Sequence, residues 1–280
     1  MQPGRLTILG GRGALPIEVL GAALASGWEV QYLSFERRDD LPAGNFKQKS
    51  ISIGKPLDIA FDIRKFSSTH ICMAGGIDLT DKNRRNLLSL VPSIGKKKSK
   101  APTGDSGLAK FSKAAELLAG AKLAGAHEIA PDLLAGAGHI AGPKVNKSLV
   151  ADGRHAIERA ISAGALDLGQ ALVCSGPRVV ALEDIGGTDL LLERVGSFVE
   201  RGLVGDAGNP LVLAKARKPG QPTFADLPAI GPDTITSAAA AGISAVFVEA
   251  GHSIVIGRSE LAARAKEKAI SVYGIEPDAL

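Results

Sequence analysis

Two short segments carry residue types at spacings that suit phosphate chemistry. The first is Gly10-Gly11-Arg12-Gly13-Ala14-Leu15-Pro16, which lies between an apolar run and a helical pattern. At such a junction free backbone N–H groups and the helix dipole receive an anion. In the second, Asp226 and Asp233 flank Leu-Pro-Ala-Ile-Gly-Pro, where proline and glycine fix side chains outside regular structure. Asp233 suits the N-cap of the helix that follows, whereas Asp226 has no such structural duty. Thr188 and Asp189 begin a helix after Gly186-Gly187, a second start that can face a phosphate or simply cap itself. Lys215 closes an apolar strand and can neutralise a phosphate or snorkel to solvent. Residues of these kinds suit phosphate binding and, where a carboxylate holds a metal or orients a water, phosphoryl transfer, which is mainly positioning plus electrostatics.

The elements that must position them alternate. An apolar run at 6–9, the glycine segment, a helix at 16–25 and a strand at 29–35 form a βαβ pattern. Strands at 48–53 and 70–74 flank an amphipathic helix at 57–66, and a long Ala/Leu helix is expected at 107–124, ending at Gly125. Glycine and proline interrupt all periodicity at 135–143, which reads as a linker. Beyond it, helices are expected at 152–163, 189–201, 233–241 and 259–270, with strands at 171–174, 178–182, 211–216, 245–249 and 253–256. The expectation is α/β with two domains, an N-terminal Rossmann-like open parallel sheet over 1–130 and a C-terminal α/β catalytic domain over 131–280. The active site is expected in the cleft between them.

Composition narrows the function classes. A net charge of +4 and a pI near 9.0 are modest and spread along the chain, so nucleic-acid binding is not indicated. Lys96, Lys97, Lys98 and Lys100 form the one basic run, read either as a solvated loop or as a contact with acidic headgroups. Cys72 and Cys174 sit in apolar runs as buried thiols, which fits a reducing compartment. No export signal or spanning segment is seen, so a cytoplasmic protein is expected. The histidines at 70, 127, 139, 155 and 252 are scattered and build no zinc motif. Gly11, Gly13 and Glu36 partly match a dinucleotide fingerprint, but Pro16 takes the place of its third glycine.

The glycine segment resembles the LpxI family, and so do Met73-Ala74-Gly75, Gly104-Asp105, Gly125-Ala126-His127-Glu128 with Leu133-Leu134, and Gly187-Thr188-Asp189. The most specific part of the resemblance is Lys215, then Lys218-Pro219-Gly220-Gln221, the stretch from Asp226 to Thr234, and Val248-Glu249-Ala250-Gly251. Two positions depart from the family pattern: Gly76 stands where a lysine is expected, and Ser106 where a second acid would follow Asp105. The resemblance implies a UDP-2,3-diacylglucosamine pyrophosphatase of lipid A synthesis that uses Mg²⁺ and releases UMP and 2,3-diacylglucosamine 1-phosphate. Water would attack the sugar-side phosphorus. Asp226 would hold the metal or orient the water. Gly10, Gly11, Gly13, Thr188, Asp189 and Lys215 would bind substrate, an amphiphilic UDP-sugar lipid. Peripheral contact with the inner membrane and a homodimer are both compatible with this reading. Two alternatives stay open: a nicotinamide-dependent oxidoreductase using Gly11, Gly13 and Glu36, and a non-catalytic protein that binds UDP-sugar or lipid.

Overall fold

The computed structural model describes residues 2–76, 116, 119–205, 208–220, 224 and 227–276. Asp226, Gly104, Asp105, Ser106, the Lys96–Lys100 run and most of the helix expected at 107–124 lie outside the described residues. The chain forms two compact units, the first running to Asp132 and the second beginning at Leu133.

In the first unit the elements are β1 (Arg5–Gly10), α1 (Leu15–Ala25), β2 (Glu29–Ser34), β3 (Phe46–Ser50), α2 (Pro56–Lys65), β4 (His70–Ala74), β5 (Lys122–Ala124) and the single turn α3 (Ala126–Ile129). The strands order as β3-β2-β1-β4-β5, and every pairing is parallel. Central strands buried on both faces need apolar residues at nearly every position; β1 supplies Leu6 and Ile8, both fully buried, and the buried Thr7 hydroxyl between them hydrogen-bonds the Ser68 hydroxyl at 2.6 Å. Helix α1 buries Pro16, Val19, Leu20 and Ala23, the spacing of one helical face. Burying a side chain the size of Val19 or Leu20 is worth about 1.5–3 kcal/mol. The opposite face packs Leu33, Ile63 and Ile71 into a second apolar layer. The helix expected to run to Ala124 is over by Gly120, whose φ of +71° ends it, and Lys122–Ala124 pair with β4 instead.

The second unit contains β6 (Gly138–Ala141), α4 (Lys147–Ala165), β7 (Ala171–Ser175), β8 (Arg178–Leu182), α5 (Gly187–Glu200), β9 (Leu211–Lys215), β10 (Ala229–Ile230), α6 (Pro232–Ala240), β11 (Ile243–Glu249), β12 (Ile254–Val255), α7 (Arg258–Glu267) and β13 (Ser271–Ile275). Its main sheet is ordered β6-β13-β11-β9-β7-β8. The strands β9, β11 and β13 are parallel, while β6, β7 and β8 are joined to it by antiparallel pairings. Helix α4 lays Ala156, Ile157 and Ala160 against Leu172, Val212, Ala214 and Phe247. It is capped by Asn146, whose side chain accepts the Leu149 N–H at 2.8 Å, a cap worth about 1 kcal/mol. Leu191, Leu192, Val195, Ile235 and Leu261, from α5, α6 and α7, cover the other face.

Three expectations change here. The stretch read as a linker at 135–143 contains β6, which is held in place by pairing with β13. Strand β13 itself follows directly on a helix and was not expected as a strand. Asp233 is not the N-cap of α6: Gly231 is, Pro232 begins the helix, and the Thr234 hydroxyl accepts the Gly231 N–H at 3.2 Å. No helix among the described residues is long and apolar enough to cross a membrane.

Candidate active site

Open α/β sheets bind ligands beyond the carboxyl ends of their parallel strands, and in each unit the described candidate residues lie there. In the first unit the segment after β1 is laced to the segment after β4. Gly11 N–H donates to Ala74 O at 2.8 Å, Arg12 N–H to Gly76 O at 2.8 Å, and Gly76 N–H to Arg12 O at 3.1 Å. A Cβ on Gly11 would run into the Gly76 carbonyl, and one on Gly10 into the Tyr32 hydroxyl. Gly13 turns the chain into α1 with φ +85°, a conformation open to glycine without steric cost. The N–H groups of Gly13, Ala14 and Leu15 have no acceptor among the described residues. Ala14, the N-cap of α1, offers no side-chain oxygen to them.

Beneath this loop lies Arg38, with its side chain only 10% exposed. One of its nitrogens donates to Gly13 O at 2.9 Å and to Gly11 O at 3.2 Å. Its Nε and other terminal nitrogen each reach a different oxygen of Asp40 at 2.8 Å. The hydrogen bond from Arg38 holds the Asp40 carboxyl below its ordinary pKa. Burial pushes the Tyr32 phenol up, with Arg38 opposing. The Tyr32 and Ser34 hydroxyls, both fully buried, have no hydrogen-bond partner among the described residues. Glu36, which a dinucleotide reading needs as its ribose acceptor, lies 3.7 Å from Arg12. Position 76 is sterically open: a Cβ there would meet nothing within 4 Å.

In the second unit Lys215 closes β9 and is 8% exposed. Its Nζ donates to the Thr188 hydroxyl at 2.9 Å and to Ala229 O at 2.9 Å. Thr188 in turn donates to Glu183 Oε1 at 2.7 Å, and Glu183 Oε2 accepts the Gln170 N–H at 2.8 Å. Two of the expected binding residues, Thr188 and Lys215, are therefore brought together. Asp189 stands in the first turn of α5, exposed and with no partner among the described residues. One strand over, Glu249 closes β11 at 5% exposure. It accepts the Arg217 N–H at 2.8 Å, and its other oxygen lies 2.9 Å from His252 Nδ1, out of hydrogen-bond alignment.

Sequence reasoning passed over two of these groups. Glu183 and Asp184, just past a strand, read as acids that could join a metal site or as two exposed acids of a common kind, and Arg38 lies in no motif that singles it out. The local signals were a polar residue at a strand end and an arginine two residues before an aspartate, both too common to single out. Among the described residues no group of three or more His, Cys, Asp or Glu is arranged to hold a metal ion. Glu183 and Glu249 are already occupied by protein donors, and so is Asp184, which accepts from Gly186 N–H and Arg194. Cys72 and Cys174 are free, buried thiols, as expected.

Residues 5–133 match the model of the LpxI N-terminal domain and residues 136–273 that of the LpxI C-terminal domain. The chain is 31% identical over 279 residues to UDP-2,3-diacylglucosamine pyrophosphatase LpxI of Caulobacter vibrioides, covering 98% of each. Among solved structures it is similar to the UDP-glucose 4-epimerase of Thermus thermophilus in complex with NAD, at 17% identity and a TM-score of 0.29. That match covers 98% of this chain and 86% of that one, and at such a score it carries no argument about fold or ligand.

Proposed function

The chain belongs to the LpxI family, and from that premise we propose that it hydrolyses the diphosphate of UDP-2,3-diacylglucosamine to UMP and 2,3-diacylglucosamine 1-phosphate in lipid A synthesis. The observation that carries this reading is the 31% identity, sustained over 98% of the chain, to a protein named for that activity. The site chemistry agrees unit by unit. In the first unit, outward N–H groups at the start of α1 suit phosphate oxygens, with Gly10, Gly11 and Gly13 shaping the loop that presents them. In the second, a buried lysine closing β9 suits charge that builds on a phosphate during cleavage. Thr188 and Asp189, in the first turn of α5, complete the substrate contacts.

Water attacks the sugar-side phosphorus, a new P–O bond forms there, and the bond to the bridging oxygen breaks so that UMP leaves. Asp226 orients that water or holds a metal; it lies outside the described residues, and its role rests on the sequence pattern around it. Magnesium, which is bound by one or two carboxylates with water and substrate phosphates completing its shell, would be held by Asp226, because Glu183, Asp184 and Glu249 are taken up by protein donors. When bound it would neutralise charge on the diphosphate. Lys215 stabilises the same charge from a position fixed by Thr188 and Ala229.

Asp226→Ala tests the reading. A carboxylate acting on water or metal mainly in the transition state contributes little to substrate affinity, so kcat should collapse while KM changes far less. Asp233→Ala is the control: its exposed carboxylate in the first turn of α6 contributes a helix-dipole term of about 0.3–1 kcal/mol, so activity should persist. If Asp226→Ala keeps more than about a tenth of wild-type kcat, a barrier change of roughly 1.4 kcal/mol, the role given to Asp226 is wrong.

A further inference from the structure

We propose that Arg38 is a positioning residue for the nucleotide phosphate: by gripping the Gly11 and Gly13 carbonyls from below, it fixes the loop and turns the Ala14 N–H outward to receive that phosphate. This rests on the function proposed above. The argument begins with the peptide plane. In a trans peptide the C=O and the following N–H point in opposite directions. Arg38 draws the Gly11 carbonyl toward itself at 3.2 Å, and the N–H of the same peptide, on Arg12, points to Gly76 O at 2.8 Å. The same grip on the Gly13 carbonyl at 2.9 Å turns the Ala14 N–H away from Arg38, where no acceptor among the described residues meets it. The two oxygens of Asp40 fix the plane of the guanidinium, so its direction as well as its charge is set.

A second feature points to a polar guest. The Tyr32 hydroxyl is fully buried, lies against Gly10 at the base of the loop, and has no hydrogen-bond partner among the described residues. A buried hydroxyl left without a partner is costly, and a phosphate oxygen or a water brought in with it would accept from this one. Lysine at 38 would keep the charge but lose the fork that bridges Asp40 and both carbonyls.

The test uses the full-length protein, with UMP binding followed by titration calorimetry and turnover of UDP-2,3-diacylglucosamine measured in parallel. Arg38→Ala should weaken UMP binding by about tenfold or more and raise KM by a similar factor, with kcat within about threefold of wild type. Arg38→Lys should fall between the two. Should Arg38→Ala fail to fold, Asp40→Asn and Arg38→Lys carry the test through the same KM and UMP readouts. UMP affinity and KM within twofold of wild type in the folded variants would mean a merely structural arginine and overturn the proposal. A fall in kcat with KM unchanged would overturn it too, as would wild-type protein that does not bind UMP. Wild-type protein that binds UMP in an Arg38-dependent way yet leaves the lipid substrate intact would sink the proposed reaction and leave the role of Arg38 standing.

Discussion

Replacing Thr188 by valine keeps the shape of the side chain and removes its hydroxyl, the atom that links Lys215 to Glu183. Two hydrogen bonds are lost, one of 2.9 Å from the Lys215 ammonium and one of 2.7 Å to the Glu183 carboxylate. A bond to a charged group contributes about 1.5–3 kcal/mol when its partner is well buried. Lys215 is 8% exposed, but Thr188 and Glu183 are only half-buried, so the pair should total about 2–3 kcal/mol rather than twice the upper figure. Lys215 keeps its bond to Ala229 O, which limits the loss. Urea unfolding followed by circular dichroism should show that destabilisation in Thr188→Val. Thr188→Ser, which keeps the hydroxyl, should stay within about 1 kcal/mol of wild type. The loosened ammonium should also lower kcat/KM by about tenfold, or 1.4 kcal/mol. A valine variant within about 0.5 kcal/mol of wild type would refute the bridge, and an affinity loss without any stability loss would make Thr188 a substrate contact only.

Two further outcomes follow from the buried thiols and the basic run. Burial raises Cys72 to about 12 and Cys174 to about 11 from an ordinary 9.0, so both should resist a disulfide thiol reagent at pH 8 until the protein unfolds. Because the folded state favours the protonated thiols, their contribution to stability is complete below about 9 and is lost as pH rises toward about 11 and about 12. Rapid modification of native protein would contradict this. The Lys96, Lys97, Lys98 and Lys100 run should give salt-sensitive sedimentation with anionic liposomes, each lysine near the surface contributing about 1 kcal/mol. Binding unchanged by lysine-to-glutamine replacement, or absent at low salt, would remove membrane contact from the account.

Where local sequence determines local structure, the chain could be read directly. Arg178–Leu182 is a strand at the bounds its β-branched residues and flanking glycine suggest, and Pro16 sits in the first turn of α1, where its missing N–H is harmless. The N-cap misassigned to Asp233 is a local error, while the missed strands fall where a distant partner decides. Ser271–Ile275 becomes a strand because β11 and β6 flank it, and Gly274 is needed there because a Cβ would run into the Gly136 carbonyl. Nothing in either short segment announces that approach. The candidate site follows the same rule. The glycine loop and Lys215 were legible as residue types at element ends. The grip of Arg38 on that loop spans 25 and 27 residues, and the Lys215–Thr188 bond 27. Such side-chain bonds depend on the folded sheet and leave no periodic trace.

The central claim is tested most directly by incubating the purified protein with UDP-2,3-diacylglucosamine and Mg²⁺ in oxygen-18 water and weighing both products by mass spectrometry. The account predicts unlabelled UMP and one heavy oxygen on the phosphate of 2,3-diacylglucosamine 1-phosphate, with both products lost when magnesium is chelated. Label in UMP would place the attack on the nucleotide-side phosphorus, and substrate recovered intact would contradict the proposed hydrolysis altogether.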